Sequence, residues 1–182
     1  MQHLSMRELK ENLVSKGFQL TPYSEEEINE AIAYFGQLPE TLVAYYQLIG
    51  RIDFTDVDDG YIEIISPAEL ISRSSEENLF INIADEYCYS FELAIKKENL
   101  NEESPEVYLG GEVAYGMTEG NEQALTDAGI LFASEDFRYI SGHLKGLSDV
   151  LCMYGVSEGE DINYLEDLLT AINYFFQYQE AV

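Results

Sequence analysis

The sequence Leu79-Phe-Ile-Asn-Ile-Ala-Asp-Glu-Tyr-Cys-Tyr-Ser-Phe-Glu-Leu-Ala-Ile95 decides the fold, because it holds two strand-like apolar runs around a short acidic turn. The first run covers residues 79–84 and the second covers residues 88–95. The residues between them, Asp85-Glu86-Tyr87, are typical of the turn in a β-hairpin. We therefore predict a β-hairpin over residues 79–95.

Shorter segments on both sides of this hairpin also have strand character. The further predicted strands are Tyr61–Ile65, Val107–Leu109, Glu112–Tyr115 and Ile130–Phe132. Gly110-Gly111 is expected to form a turn between the second and third of these segments. Residues 116–128 are acidic, contain glycine and lack periodicity, so we expect a mobile surface loop there.

Helical patterns precede and follow the strands. Ser24-Glu-Glu-Glu27 is a capping box that starts a helix ending at Gly36. Leu38-Pro39-Glu40 starts a second helix that ends at Gly50, and Ser66-Pro67 opens a short third helix. The other predicted helices cover residues 4–16, 137–151 and 161–178. Helices, then strands, then helices indicate an α+β fold, and a length of 182 residues fits a single domain spanning 1–182.

Charge is the most unusual feature of the composition. The chain has 35 Asp and Glu residues against 9 Lys and Arg residues, which gives a formal net charge of −26. Residues 1–20 carry a net charge of +1, so residues 21–182 carry −27. This charge argues against direct binding of nucleic acid, which needs cations to neutralise phosphates, and against anionic lipid. A basic protein is the partner that such a field attracts.

The expected cellular location follows from the cysteines and the hydropathy. Cys88 and Cys152 both lie in apolar runs, where reduced and buried thiols are common. The N-terminal residues show no apolar signal core, and no window approaches the roughly 18 apolar residues of a membrane span. We therefore expect a cytoplasmic protein without membrane association.

Motifs for catalysis or cofactor binding are not found in the sequence. His3 and His143 are the only histidines, and there is no Gly-x-Ser-x-Gly, no Gly-rich phosphate loop and no Cys/His cluster for zinc. Four aspartates precede Gly60, but with Gly60 as the sixth residue of a calcium loop the third position is Val57. A solvated acidic turn is the simpler interpretation, so we predict no catalytic residue, cofactor or metal site.

Three blocks of sequence point to a known family. The first is Glu30–Gly50, with an acidic helix, a Leu-Pro-Glu and an aromatic-rich helix. The second is Leu79–Tyr108, with the strand pair and Ser104-Pro-Glu-Val-Tyr108, and the third is Ser134-x-x-Phe137. In these blocks residues 24–154 resemble the SUKH superfamily, which includes cell-wall-assembly regulators of the Smi/Knr type and bacterial immunity proteins. The helices at 4–16 and 161–178 lie outside the resemblance.

Two departures accompany this resemblance. Ile49-Gly50-Arg51 stands where the family often has Asn-Gly, and Phe91 stands where a Trp is common. The resemblance implies an α+β fold in which helices flank a mostly antiparallel sheet, and it implies binding rather than catalysis. Many members are immunity proteins that neutralise toxins, often nucleases. We therefore expect a non-enzymatic immunity or antitoxin-like protein; the alternatives are a regulatory scaffold and a hydrolase that uses an acidic pair.

A partner-binding face is predicted around the acidic turn and the segment after Gly111. Its candidate residues are Asp53, Phe54, Asp56, Asp58, Asp59, Glu112 and Tyr115. Loops carry binding residues more often than the framework does, and Phe54 and Tyr115 are the candidate aromatic anchors. The alternative is a solvated turn whose Phe54 packs into the core.

The C-terminal helix carries the widest apolar stripe in the chain. Its members are Ile162, Leu165, Leu168, Leu169, Ile172, Phe175 and Phe176. One interpretation is that the helix docks on the domain and uses the surplus apolar surface to form a homodimer. The alternative is that the first helix covers this surplus through Leu9 and Leu13.

Overall fold

The structure is a computed structural model that describes residues 3–53, 61–87, 91–133, 137–143, 151–152, 156 and 160–174. The helices are α1 Met6–Ser15, α2 Glu25–Phe35, α3 Glu40–Leu48, α4 Pro67–Arg73, α5 Glu112–Thr118, α6 Glu122–Asp127 and α7 Leu165–Ala171. The strands are β1 Leu20–Thr21, β2 Arg51–Ile52, β3 Ile62–Ile64, β4 Phe80–Glu86, β5 Phe91–Lys96, β6 Tyr108–Gly111, β7 Leu131–Ala133 and β8 Arg138–Ser141. The predicted α+β class is confirmed.

The predicted hairpin is the β4–β5 pair, and it lies inside a six-stranded sheet. The strand order is β3-β4-β5-β6-β8-β7, and every neighbouring pair is antiparallel. β1 and β2 form a separate two-stranded antiparallel sheet. Strand β4 continues past the predicted end at residue 84, because Asp85 pairs with Glu63 on β3. The predicted position of the turn is wrong, since Asp85 and Glu86 belong to β4. Residues 88–90, between the two strands, lie outside the described residues.

Three helices begin with the same local device. Ser24 accepts a hydrogen bond from the backbone N–H of Glu27, whose carboxylate accepts hydrogen bonds from the Ser24 N–H and hydroxyl group. Equivalent capping boxes start α1 and α4. Each box satisfies donors that the first turn of a helix leaves unpaired, which stabilises the helix by roughly 0.5–2 kcal/mol.

One face of the six-stranded sheet packs against the helices and forms the main core. Tyr45 and Tyr46 of α3 are among its largest fully buried side chains, and the Tyr46 hydroxyl group donates to the Ile65 carbonyl at 2.7 Å. Leu9 and Leu13 of α1 are buried in the same core. Helix α1 therefore packs into the same core as the sheet and α3.

The two ends of the described chain are joined by hydrogen bonds. The His3 ring nitrogen Nε2 lies 2.6 Å from Asp167 Oδ1 of α7, and Lys16 Nζ donates to the Asn173 carbonyl at 2.6 Å. α1 and α7 both pack against α3. These contacts fit the interpretation in which the first helix covers part of the C-terminal stripe. Residues 175–182, which include Phe175 and Phe176, lie outside the described residues.

Four secondary-structure predictions in the second half are wrong. Gly110-Gly111 ends strand β6 and does not form a turn, and Glu112–Tyr115 begins helix α5. Residues 116–128 are largely helical, in the remainder of α5 and in α6. Residues 138–141 form strand β8, because pairing with both β6 and β7 outweighs a spacing of apolar residues that also fits a helix.

Two further predictions concern the cysteines and the membrane. Cys152 has a free thiol and is exposed, so its predicted burial is wrong, whereas Cys88 lies outside the described residues. In the ranges that the structure describes, no helix is long and apolar enough to cross a membrane.

Candidate functional site

The predicted binding face is described at three of its seven positions. Asp53 is exposed, and its backbone N–H donates to the Gln19 carbonyl at 3.1 Å. Glu112 is exposed in the first turn of α5. Tyr115 is 37% exposed, and the Arg138 guanidinium carbon lies 4.3 Å from its ring centroid. The four remaining candidates, Phe54, Asp56, Asp58 and Asp59, lie outside the described residues.

The structure brings together a different set of residues, on the sheet face opposite the main core. We call this the second face. Residues that pair directly across neighbouring strands point to the same face of a sheet, and one such row crosses all six strands. The row is Glu63, Asp85, Glu92, Gly110, Tyr139 and Phe132. Its chemistry changes along its length, from carboxylates at the β3 end to aromatic rings at the β7 end.

We call the carboxylate end of this row the acidic row; it consists of Glu63, Asp85 and Glu92, one from each of β3, β4 and β5. Asp85 in its middle accepts hydrogen bonds from Arg73 and, at 2.7 Å, from the Asn82 side-chain amide. Burial, followed by the neighbouring Asp85 carboxylate, raises the pKa of Glu92. Burial is also the main cause that raises the pKa of Glu63. The fold therefore holds two partly buried carboxyl groups whose charged form it disfavours.

A β-bulge places Asn82 and Asp85 on the same face. The pairing of β4 with β5 shifts between Asn82 and Ala84, so that Ile83 is the additional residue. Without the bulge, residues three apart on a strand would point to opposite faces. The bulge thus brings a neutral amide and an arginine-paired carboxylate to the side of Glu92.

The other end of the second face is an aromatic cluster. The rings of Phe80 and Tyr139 stack with centroids 4.3 Å apart, and Phe80 also meets Phe132 at 5.6 Å. In the sheet order β4 lies three strands from β8, which would be about 14 Å in a flat sheet. Contact between Phe80 and Tyr139 therefore shows that the sheet curls towards its second face.

Two adjoining depressions lie on this curled face. The aromatic pocket has a volume of about 600 Å³ and is lined by Leu79, Phe80, Phe132, Phe137 and Tyr139, among others. The polar pocket has a volume of about 210 Å³ and is lined by Arg73, Asn78, Phe80, Asn82, Glu92 and Tyr139, among others. The stacked pair of Phe80 and Tyr139 belongs to both pockets, so the two depressions share a wall.

Gly110 makes this arrangement possible. A Cβ atom at Gly110 would lie 2.8 Å from Cε1 of Phe137 and 2.9 Å from Cε1 of Tyr139. The missing side chain therefore lets both rings lie directly over strand β6. Burial, followed by the Glu92 carboxylate, raises the pKa of Tyr139 to about 12, so its hydroxyl group is neutral at physiological pH.

A serine, a glutamate and a histidine also meet near the end of β8. The Ser141 hydroxyl group donates to one oxygen of Glu106, the Tyr108 hydroxyl group donates to the other at 2.9 Å, and His143 Nε2 lies 3.8 Å from Glu106. His143 lies in a turn after β8, so its predicted helical position is wrong. A nucleophile triad needs the histidine between serine and carboxylate, whereas here the carboxylate lies between.

The clustered carboxylates raise the question of metal binding. In the part of the chain that the structure describes, no group of three or more His, Cys, Asp or Glu residues is arranged to hold a metal ion. The acidic row, all of whose residues are described, is therefore a charged surface and not a metal centre.

Sequence reasoning missed the second face. The available signal was the polar residues inside apolar strands, Asn82 and Glu92, which mark a face away from the core. No protein-family model, no curated protein and no solved structure matches the chain. The resemblance to the SUKH superfamily accordingly rests on the sequence blocks that carry it.

Proposed function

We propose that this protein binds a basic protein partner through the second face of its sheet, and that the partner is a toxin domain which binding neutralises. The observation that supports the proposal is the acidic row beside two adjoining pockets. The toxin part of the proposal comes from the resemblance to the SUKH superfamily. A cytoplasmic location and the absence of nucleic-acid or lipid binding belong to the same proposal.

Electrostatics gives a reason for the acidic row to be a binding element. Glu63 and Glu92 are held where burial raises their pKa, so their ionised form costs more free energy here than in an exposed glutamate. A partner cation placed beside them would offset that cost and stabilise the charged form. The net charge of −26 would also steer a basic domain towards this protein and raise the association rate.

The proposal is tested by capture followed by reconstitution. The intact chain is used to isolate partners from its host at low salt, and the captured protein is then purified and recombined with it. We expect a basic partner whose association rate falls as salt rises and whose activity is lost in a stoichiometric complex. An acidic partner, or association rates that stay constant with salt, would contradict the proposal. A partner that keeps its activity would instead indicate a regulatory scaffold.

A second candidate function, a hydrolase, is favoured by one specific observation. Glu92 and Asp85 are cross-strand neighbours, Glu92 lines the polar pocket and its pKa is raised. Hydrolysis of a glycosidic bond uses such a pair, one carboxyl group as proton donor and one as base or nucleophile. A panel of chromogenic glycosides tests this function. Turnover that both Glu92→Gln and Asp85→Asn abolish would support it, and no turnover on any substrate would contradict it.

A further inference from the structure

The two pockets on the second face offer opposite chemistry at close range. The walls of the aromatic pocket are the buried ring of Phe80 and three half-buried rings, and Leu79, which also lines the pocket, is 72% exposed. An exposed leucine beside a concave aromatic surface favours an apolar ligand group, because contact would remove both surfaces from water. The pocket of about 600 Å³ is large enough for a leucine or phenylalanine side chain.

The polar pocket favours a cation. Glu92 lines it, and Arg73 on its other side is already engaged by Asp85 and Glu69. A guanidinium group entering this pocket could pair with Glu92 and donate a second hydrogen bond to the hydroxyl group of Tyr139, which lies near Glu92. Arginine suits this position better than lysine, because a planar group can do both at once.

We propose that the second face recognises an extended segment of its protein partner through two side chains: an apolar side chain in the aromatic pocket and an arginine in the polar pocket, two residues apart. This inference rests on the proposed function, because it specifies how the basic partner is bound. Side chains at positions i and i+2 of an extended segment point the same way, about 7 Å apart. Two pockets that share one wall match this arrangement.

Charge complementarity is the reason for choosing a basic partner segment over a second copy of this chain. The protein has 9 Lys and Arg residues against 35 Asp and Glu residues, so two copies repel each other. Glu77 at the rim of the aromatic pocket adds a further carboxylate to the same surface. The occupant that reduces this repulsion most is a segment with positive charge.

The test uses synthetic peptides and the full chain. The probe is a fluorescein-labelled dodecapeptide of Gly and Ser that contains the sequence Phe-Gly-Arg. Three comparison peptides are used. The first separates Phe and Arg by six residues, the second has citrulline in place of Arg, and the third has Ser in place of Phe. Fluorescence anisotropy measures the affinity of each peptide. We expect the Phe-Gly-Arg peptide to bind at least about fivefold more tightly than each comparison peptide.

Two protein variants assign the pockets. Glu92→Gln should lower the ratio of the affinities of the arginine and citrulline peptides by about fivefold or more. Leu79→Ser should lower the ratio of the affinities of the Phe and Ser peptides by about the same factor. Glu30→Gln on α2 and Val14→Ser on α1 are the matched controls, because both side chains are exposed and lie away from the second face. Both controls should leave peptide affinity unchanged.

The outcomes separate this inference from the proposed function. The two-pocket inference is overturned, even if a basic partner is captured, by either of two results. One is equal affinity for both spacings of Phe and Arg. The other is peptide binding that neither Glu92→Gln nor Leu79→Ser changes. Dimerisation that Leu79→Ser abolishes, with no peptide bound, overturns it in favour of a second copy. Peptide binding with the expected preferences supports it even if no partner protein loses activity, in which case the neutralising function alone fails.

Discussion

Gly110 determines how closely two aromatic rings approach the middle of the sheet. The rings of Phe137 and Tyr139 lie where a Cβ atom at this position would be less than 3 Å away. Tyr139 is also the wall shared by the two pockets. A single missing methyl group on β6 therefore shapes the surface that we propose as the binding site.

We expect Gly110→Ala to destabilise the fold by about 1–3 kcal/mol, because the new methyl group displaces both rings. Gly116 is the matched control, since it lies inside α5 and a Cβ atom there has no neighbour within 4 Å. Gly116→Ala should stabilise the protein by up to about 1 kcal/mol through helix propensity. Urea unfolding measures both, and equal effects of the two variants would contradict the role of Gly110.

Glu92 should be a position that lowers the stability of the fold at neutral pH. Its pKa is raised in the folded protein, so the folded state binds the proton more tightly than the unfolded state. Wild-type stability therefore falls as pH rises from the ordinary glutamate pKa through the raised one, and it stays low above that. We expect Glu92→Gln to raise Tm at pH 7 by roughly 1–4 °C and to lose this advantage below about pH 4. A lower Tm at pH 7 would contradict the account.

At the scale of the element, the capping boxes predict the opposite pH dependence: they stabilise the fold at neutral pH and lose this effect in acid. Hydrogen bonds from the Ser24 side chain and backbone hold the pKa of Glu27 below its ordinary value. The ionised Glu27 carboxylate therefore stabilises the fold above the ordinary glutamate pKa, and this stabilisation is lost as pH falls through the lowered pKa of Glu27. Thermal melts of Ser24→Ala should therefore show a lower Tm at pH 7 and a smaller difference near pH 3. Ser15→Ala, at the C-terminal end of α1, is the control and should change little.

The elements that the sequence predicted correctly have strong local signals. The capping box at Ser24 and the helix after Pro39 form where expected, and β4 pairs with β5 as predicted, because hydrogen bonds and periodicity within a few residues specify them. Strand β8 shows the limit of such signals. Phe137 and Ile140 are spaced as on a helix, but pairing with β6, about 30 residues earlier, makes the segment extended.

The candidate site was harder to predict for a related reason. A period of two places Asp85 on the same side as Ile81 and Ile83, in the core. The bulge between Asn82 and Ala84 reverses this and places Asp85 beside Glu92. A bulge is specified by the partner strands and not by the local pattern, so the acidic row needed the structure.

At the scale of the whole molecule, the outstanding feature is the net charge. A charge of −26 on 182 residues means that the folded chain repels itself. The Debye length shrinks from about 30 Å at 0.01 M salt to about 3 Å at 1 M, so salt weakens this repulsion. We expect Tm to rise with NaCl over this range in differential scanning calorimetry. A constant Tm would contradict the claim that repulsion among these charges lowers the stability of the fold.

The dimer prediction belongs to the same scale. Five members of the C-terminal stripe are buried within one chain, which removes them from any interface: Ile162, Leu165, Leu168, Leu169 and Ile172. What is left of the C-terminal stripe, Phe175 and Phe176, lies outside the described residues. Sedimentation of the chain at low and high salt tests association. Two acidic copies repel each other, and salt screens this repulsion, so any dimer should be more stable at high salt.

The most direct test of the central claim compares the affinity of a captured basic partner for two charge-matched double variants. Glu63→Gln with Glu92→Gln removes two carboxylates of the acidic row, whereas Glu11→Gln with Glu30→Gln removes two exposed carboxylates from helices. If the second face is the binding site, the first variant binds at least about tenfold more weakly although its Tm is higher, and the second binds as the wild type does within about twofold. Equal losses of affinity in the two variants would show that only total charge matters and would contradict the claim.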